Sequence, residues 1–108
     1  MMFKIDKKDQ LVVHVFEGVT RRTLACGKDV LMARFEYKKG SKVPPHKHNY
    51  EQATTLLEGE QKIIIKDKKT SEEIHVKSGD SYIIPAFFEH EQTSLKDTIT
   101  IDVWCLAP

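Results

Sequence analysis

Cysteine is scarce in this 108-residue chain. Only Cys26 and Cys105 are present, and they form no CxxC pair. Two distant cysteines make neither a disulfide framework nor half of a cysteine-type zinc site. We read them as partly buried free thiols in a reducing compartment. Charge of one sign is lacking too, since 17 Lys+Arg stand against 16 Asp+Glu. Nucleic acids and acidic membrane surfaces demand a concentrated basic field, so neither is an expected partner. The apolar stretch 11–16 is too short for a signal h-region or a membrane span, and the N-terminus is charged from Lys4 onward. A cytoplasmic protein is expected. No window carries a sustained helical period, which leaves room for one short helical turn near the N-terminus. No linker, repeat or low-complexity tract divides the chain, and its length fits one domain over residues 1–108.

What the chain does have is a succession of short β-prone runs. They cover residues 11–16, 30–37, 50–57, 61–66, 72–76, 81–84 and 98–106, with turn signals such as Glu17-Gly18, Lys38-Lys39-Gly40 and Glu58-Gly59 between them. This spacing predicts an all-β sandwich or barrel. Many short strands mean many exposed edges, which favours a barrel or jelly roll over an open sheet. A barrel this small buries limited apolar surface, so a homodimer that covers an outer sheet face is expected.

Five histidines are present, and His46 and His48 are two residues apart in GSKVPPHKHNYEQ. Residues i and i+2 of an extended segment point to the same side, so both imidazoles can reach one ion. Pro44-Pro45 biases the segment toward extension. Gln52 has the same parity and joins them if the strand stays regular. His90 lies far down the chain, after Pro85. A lone HxH is equally the pattern of two surface histidines, which is how we read His14 and His75.

The frame around the pair decides between these readings. Residues 40–59, GSKVPPHKHNYEQATTLLEG, resemble the first motif of the cupin family, with Gly40, His46, His48 and Gly59 in register. Residues 79–94, GDSYIIPAFFEHEQTS, resemble the second, with Gly79, Pro85 and His90 in register. The resemblance implies a cupin double-stranded β-helix, a jelly-roll barrel. It also implies one divalent metal ion, held by His46, His48, Gln52 and His90. Three positions depart from the motifs. Gln52 stands where an acid is usual, Phe87 where a glycine is, and Ser94 where an asparagine is. Three imidazoles and an amide leave the ion its full charge, which favours Lewis-acid chemistry or anion binding over redox cycling. Zinc, nickel, iron, manganese and copper suit such a site alike.

Together with TIDVW, the glutamine and the run RRTLACGKDVLMARFEYKKG look like the small cupins of pectin and alginate breakdown. Those proteins open and ketonise 4,5-unsaturated uronates at a metal bound by three histidines and a glutamine. The resemblance implies Asp102 as a catalytic acid/base group and Trp104 as a substrate-binding aromatic. In that family an arginine shortly follows the aromatic, and residues 105–108 contain none. The periodicity of residues 98–105 reads differently. Ile99, Ile101, Val103 and Cys105 form the apolar face, and on that ground Asp102 faces water. The competing reading turns Thr98, Thr100, Asp102 and Trp104 into a wet pocket.

Arg22 and Arg34 reach an anionic substrate only if they point inward, and Arg34 is carried as a substrate-binding candidate. Tyr82, Phe87 and Phe88 flank the second motif, and Phe88 is carried in the same role at the barrel mouth. The function expected is ring opening, ketonisation or isomerisation of a small anionic sugar-derived substrate. A cupin-type dioxygenase and a non-catalytic small-molecule-binding cupin are the alternatives.

Overall fold

The computed structural model describes residues 3–106. A single 3₁₀ turn, Lys7–Asp9, precedes ten strands: β1 Val12–Phe16, β2 Val19–Cys26, β3 Val30–Tyr37, β4 Lys42–His46, β5 Glu51–Glu58, β6 Glu60–Lys66, β7 Ser71–Lys77, β8 Ser81–Ile84, β9 Glu89–Ser94 and β10 Thr98–Cys105. They form two antiparallel sheets, β1-β2-β3-β10-β5-β8 and β4-β9-β6-β7. This is a two-sheet jelly roll of the kind expected from the sequence. The expected N-terminal helical turn is the 3₁₀ turn.

Hydrogen bonding does not close the two sheets into a continuous barrel, so edges remain. They are protected chemically. Edge strand β4 carries Pro44 and Pro45, and edge strand β7 carries Glu72, Glu73 and Lys77. Proline and charge both deter pairing with another chain.

Two apolar clusters fill the space between the sheets. Leu56, Ile63 and Val76 form one, packed by Ile65, Ile74 and Tyr82. Val19, Tyr37 and Val43 form the other, packed by Val15 and Phe35. Between the strands, Gly59 links β5 to β6 at φ 107°. A Cβ there would lie 2.6 Å from the Asp97 carbonyl oxygen and 2.7 Å from Thr98 Cα, so no other residue fits without backbone movement. Phe87, in the link from β8 to β9, also takes a left-handed conformation, at φ 68°. It stands where the motif prefers glycine. Its backbone N–H donates to the His48 carbonyl at 2.8 Å and ties the two motif loops together.

One open reading is decided and one expectation is corrected. The face of β10 left open by the sequence is the one implied by the resemblance, against simple periodicity: Thr98, Thr100, Asp102 and Trp104 are the buried face, while Ile99, Ile101 and Val103 are half-buried on the outside. The two cysteines are free thiols but exposed rather than partly buried. Among the described residues no helix is long and apolar enough to cross a membrane.

Candidate metal centre

Both sheets contribute to one constellation. In the four-stranded sheet His46 ends β4 directly opposite His90 on β9. Across the interior, β5 and β10 place Gln52 opposite Trp104 and Thr54 opposite Asp102. His48 lies beyond the end of β4. The condition of one regular strand through His46, His48 and Gln52 is therefore not met. The chain leaves one sheet after His46 and enters the other at β5, and Gln52 reaches the histidines from the facing sheet.

The three imidazoles are held in one orientation by the backbone. Nδ1 of His46 lies 3.0 Å from the Pro44 carbonyl, that of His48 2.9 Å from the Tyr50 carbonyl, and that of His90 3.2 Å from the Phe88 carbonyl. A carbonyl only accepts, so each Nδ1 carries the proton and each Nε2 presents a lone pair. The same arrangement fixes tautomer and ring direction in metal-ligating histidines. One ligating nitrogen from each ring lies within 4.8 Å of the other two. Ring centroids are 4.1 Å apart for His46 and His90, and 5.0 Å for His48 and His90. Burial first, then the neighbouring His46 and His48, pushes the His90 pKa down to about 4. The ring is thus neutral at physiological pH, the form that ligates.

The Gln52 amide is fixed from both ends. Its Nε2 donates to Thr54 Oγ1 at 2.9 Å and to Asp102 Oδ2 at 3.2 Å. Its Oε1 accepts from Trp104 Nε1 at 3.0 Å and lies 3.2 Å from His48 Nε2. With Nδ1 of His48 donating, those last two atoms are both acceptors. They face each other at hydrogen-bond distance, which calls for positive charge at that point, from a proton or a metal ion. Three locked imidazoles plus an amide oxygen make a donor set that suits a divalent ion.

Asp102 is buried beside this group. Oδ1 accepts from Thr100 Oγ1 at 2.7 Å and Oδ2 from Gln52. Burial pushes its carboxyl up to about 7, against the opposing pull of bonds from Thr100 and Thr54. A cavity of about 350 Å³ opens onto His46, Gln52, His90, Asp102 and Trp104. Tyr37 and Gln92 also line it, linked by a 3.1 Å bond from Gln92 Nε2 to the Tyr37 hydroxyl. This lies at the lower end of the ~300–1,000 Å³ typical of small-molecule sites.

Two sequence candidates are not on the cavity wall. Arg34 alternates with the inward Ala33 and Phe35, so its side chain lies outside, 3.3 Å from Glu36. Phe88 is half-buried and does not line the cavity; its contribution is the carbonyl that orients His90. Conversely, the arginine that does line the cavity is Arg21 on β2. Its parity with the fully buried Val19 is the available signal, but the polar composition of β2 hides the strand.

The constellation is that of a cupin, and the sequence agrees: residues 33–104 match the cupin domain family, to which this chain belongs. Among solved structures, KdgF from Halomonas sp. is similar over 100% of this chain and 96% of its own, at 18% identity and a TM-score of 0.84. An RmlC-like cupin from Shewanella frigidimarina is similar over 99% and 93%, at 19% identity and a TM-score of 0.85. A single-substitution variant of the Bacillus subtilis oxalate decarboxylase matches 91% of this chain at 17% identity and a TM-score of 0.82, but this chain spans only 28% of it. These likenesses establish the fold. No curated protein matches in sequence.

Proposed function

We propose that this chain is a single-domain, metal-dependent cupin enzyme that ketonises or isomerises a small anionic, sugar-derived substrate such as an unsaturated uronate. His46, His48, His90 and the amide oxygen of Gln52 hold the metal. Asp102 is the acid/base group, and Trp104 flanks the substrate while aligning Gln52. The observation that carries this reading is the bond between Gln52 and Asp102, which ties a metal-ligand candidate to a buried carboxyl on one cavity wall.

A divalent ion at this site supplies a Lewis acid for a carbonyl or hydroxyl oxygen. The chain itself supplies the proton transfer. A carboxyl whose pKa is held near 7 gives up and takes back a proton at neutral pH, as tautomerisation of an enol to a ketone requires. Thr100 and Gln52 hold both carboxyl oxygens in place.

Elemental analysis of untagged protein tests the metal. We expect about one equivalent in wild type and none in His46→Ala or His90→Ala. Product analysis with an unsaturated uronate tests the reaction. Asp102→Asn is expected to bind substrate and stall. If wild type carries one metal but leaves unsaturated uronates unchanged, the enzymatic reading falls and a binding cupin remains.

We further propose that the protein acts in the cytoplasm, a setting that suits two exposed free thiols. A second copy covers the outer face of the six-stranded sheet, where Val30, Met32 and Ile83 are exposed beside Ile101 and Val103. Light scattering of Ile101→Lys checks this, and the expected outcome is a monomer.

A further inference from the structure

We propose that Arg21 is the carboxylate-recognition residue of the cavity, gripping the substrate's acid group with its guanidinium. This rests on the reading above that the cavity is the substrate site. It goes further in naming a residue and the anion it takes.

The argument begins with position. Arg21 sits on β2 between Val13 on β1 and Phe35 on β3, with its side chain on the same face as Val19. It lines the same cavity as His46, Gln52, His90 and Asp102. Its Nε is buried and has no hydrogen-bond partner. Among the described residues it forms no ion pair, whereas the outward-facing Arg34 pairs with Glu36. A buried, unpartnered N–H is uncommon in a native structure and calls for a missing partner. The cavity's own carboxylate does not fill that place: Asp102 accepts from Thr100 and Gln52 and makes no bond to the Arg21 Nε.

Charge points the same way. Among the described residues, Arg21 and Asp102 are the only Arg, Lys, Asp or Glu residues on the cavity wall. With a divalent ion at the histidines, the net charge of the cavity is positive. The fork of a guanidinium matches a carboxylate through two parallel N–H···O bonds, a geometry lysine lacks. A monosaccharide-sized molecule with one carboxylate suits both the charge and a volume of about 350 Å³.

The test is isothermal titration of zinc-loaded protein with D-galacturonate, a stable uronate, and with neutral D-galactose. We expect wild type to prefer galacturonate. Arg21→Gln should weaken galacturonate roughly ten- to a hundredfold, as loss of a charged hydrogen bond does, and leave galactose and zinc content unchanged. Arg21→Lys should recover only part of the loss, and it carries the test should the glutamine variant not fold. Arg34→Gln should match wild type. Equal galacturonate affinity in wild type and Arg21→Gln overturns the assignment, as does a wild type that does not distinguish the two sugars. Turnover of an unsaturated uronate is scored separately. Catalysis with unchanged KM in Arg21→Gln sinks the role of Arg21 alone. Arg21-dependent binding without turnover sinks the enzymatic reading alone.

Discussion

The interior of this protein has a dry end and a wet end, and β5 runs through both. Its inward side chains pass from Gln52 to Thr54 to Leu56, from amide to hydroxyl to hydrocarbon. Around Leu56 the partners are Ile63 and Val76, and stability comes from excluding water from apolar surface. Around Gln52 the neighbours are Asp102, Thr54, Trp104 and His48, and the amide is bonded to the first three. The same strand thus builds a mainly apolar cluster beside a site that is almost wholly polar. A small barrel tolerates the polar end because most of its buried groups, such as Asp102 and the Gln52 amide, are hydrogen-bonded internally, since buried polar groups are costly mainly when left unpaired.

Four substitutions separate the two ends, in descending order of effect. Ile63→Ala opens a cavity at the dry end and should cost about 2–5 kcal/mol in urea unfolding, with metal stoichiometry intact. A drop in metal content at native conditions would mean that the two ends are not separable.

The next change acts through pH. In the folded, metal-free protein burial raises the Asp102 carboxyl to about 7, against about 3.9 for an unfolded aspartate. Between these values the folded state holds a proton that the unfolded state has lost. The stabilisation is complete below about pH 4 and is lost as pH rises toward and through 7. Asp102→Asn should therefore flatten the pH dependence of metal-free stability across this window, with a gain on the order of a few kcal/mol at its upper end. A slope identical to wild type would place the titrating group elsewhere.

Trp104→Phe keeps the aromatic packed near Phe35 but removes the N–H that anchors Gln52 Oε1. Chelator competition should show metal affinity weakened by about tenfold, the scale of losing a ligand's supporting hydrogen bond. The smallest effect belongs to Phe87→Gly, which relieves a left-handed φ at an exposed side chain. Thermal unfolding should show a gain of at most about 1 kcal/mol, since glycine also loosens the unfolded chain.

Strand positions are legible in the sequence where the alternation is apolar. The run 30–37 coincides with β3, and 81–84 with β8. Strands β2, β4 and β9 escape that pattern. Strand β9, EHEQTS, turns His90, Gln92 and Ser94 inward, so hydrophobic alternation has nothing to register there. The inversion of β10 has the same origin. Periodicity assigns the apolar face to the core, but in a barrel with a polar cavity the inward face is the polar one.

By itself the sequence determined the all-β class, the turn glycines and the spacing of three histidines, because these depend on local backbone geometry and residue chemistry. Tertiary structure decided the rest. Which face of β10 points inward, which arginine meets the cavity, and how Gln52 joins histidines from the opposite sheet all follow from strand pairing between segments distant in the chain. Local pattern is blind to such pairing, because a side chain's partner across a sheet or a cavity lies dozens of residues away.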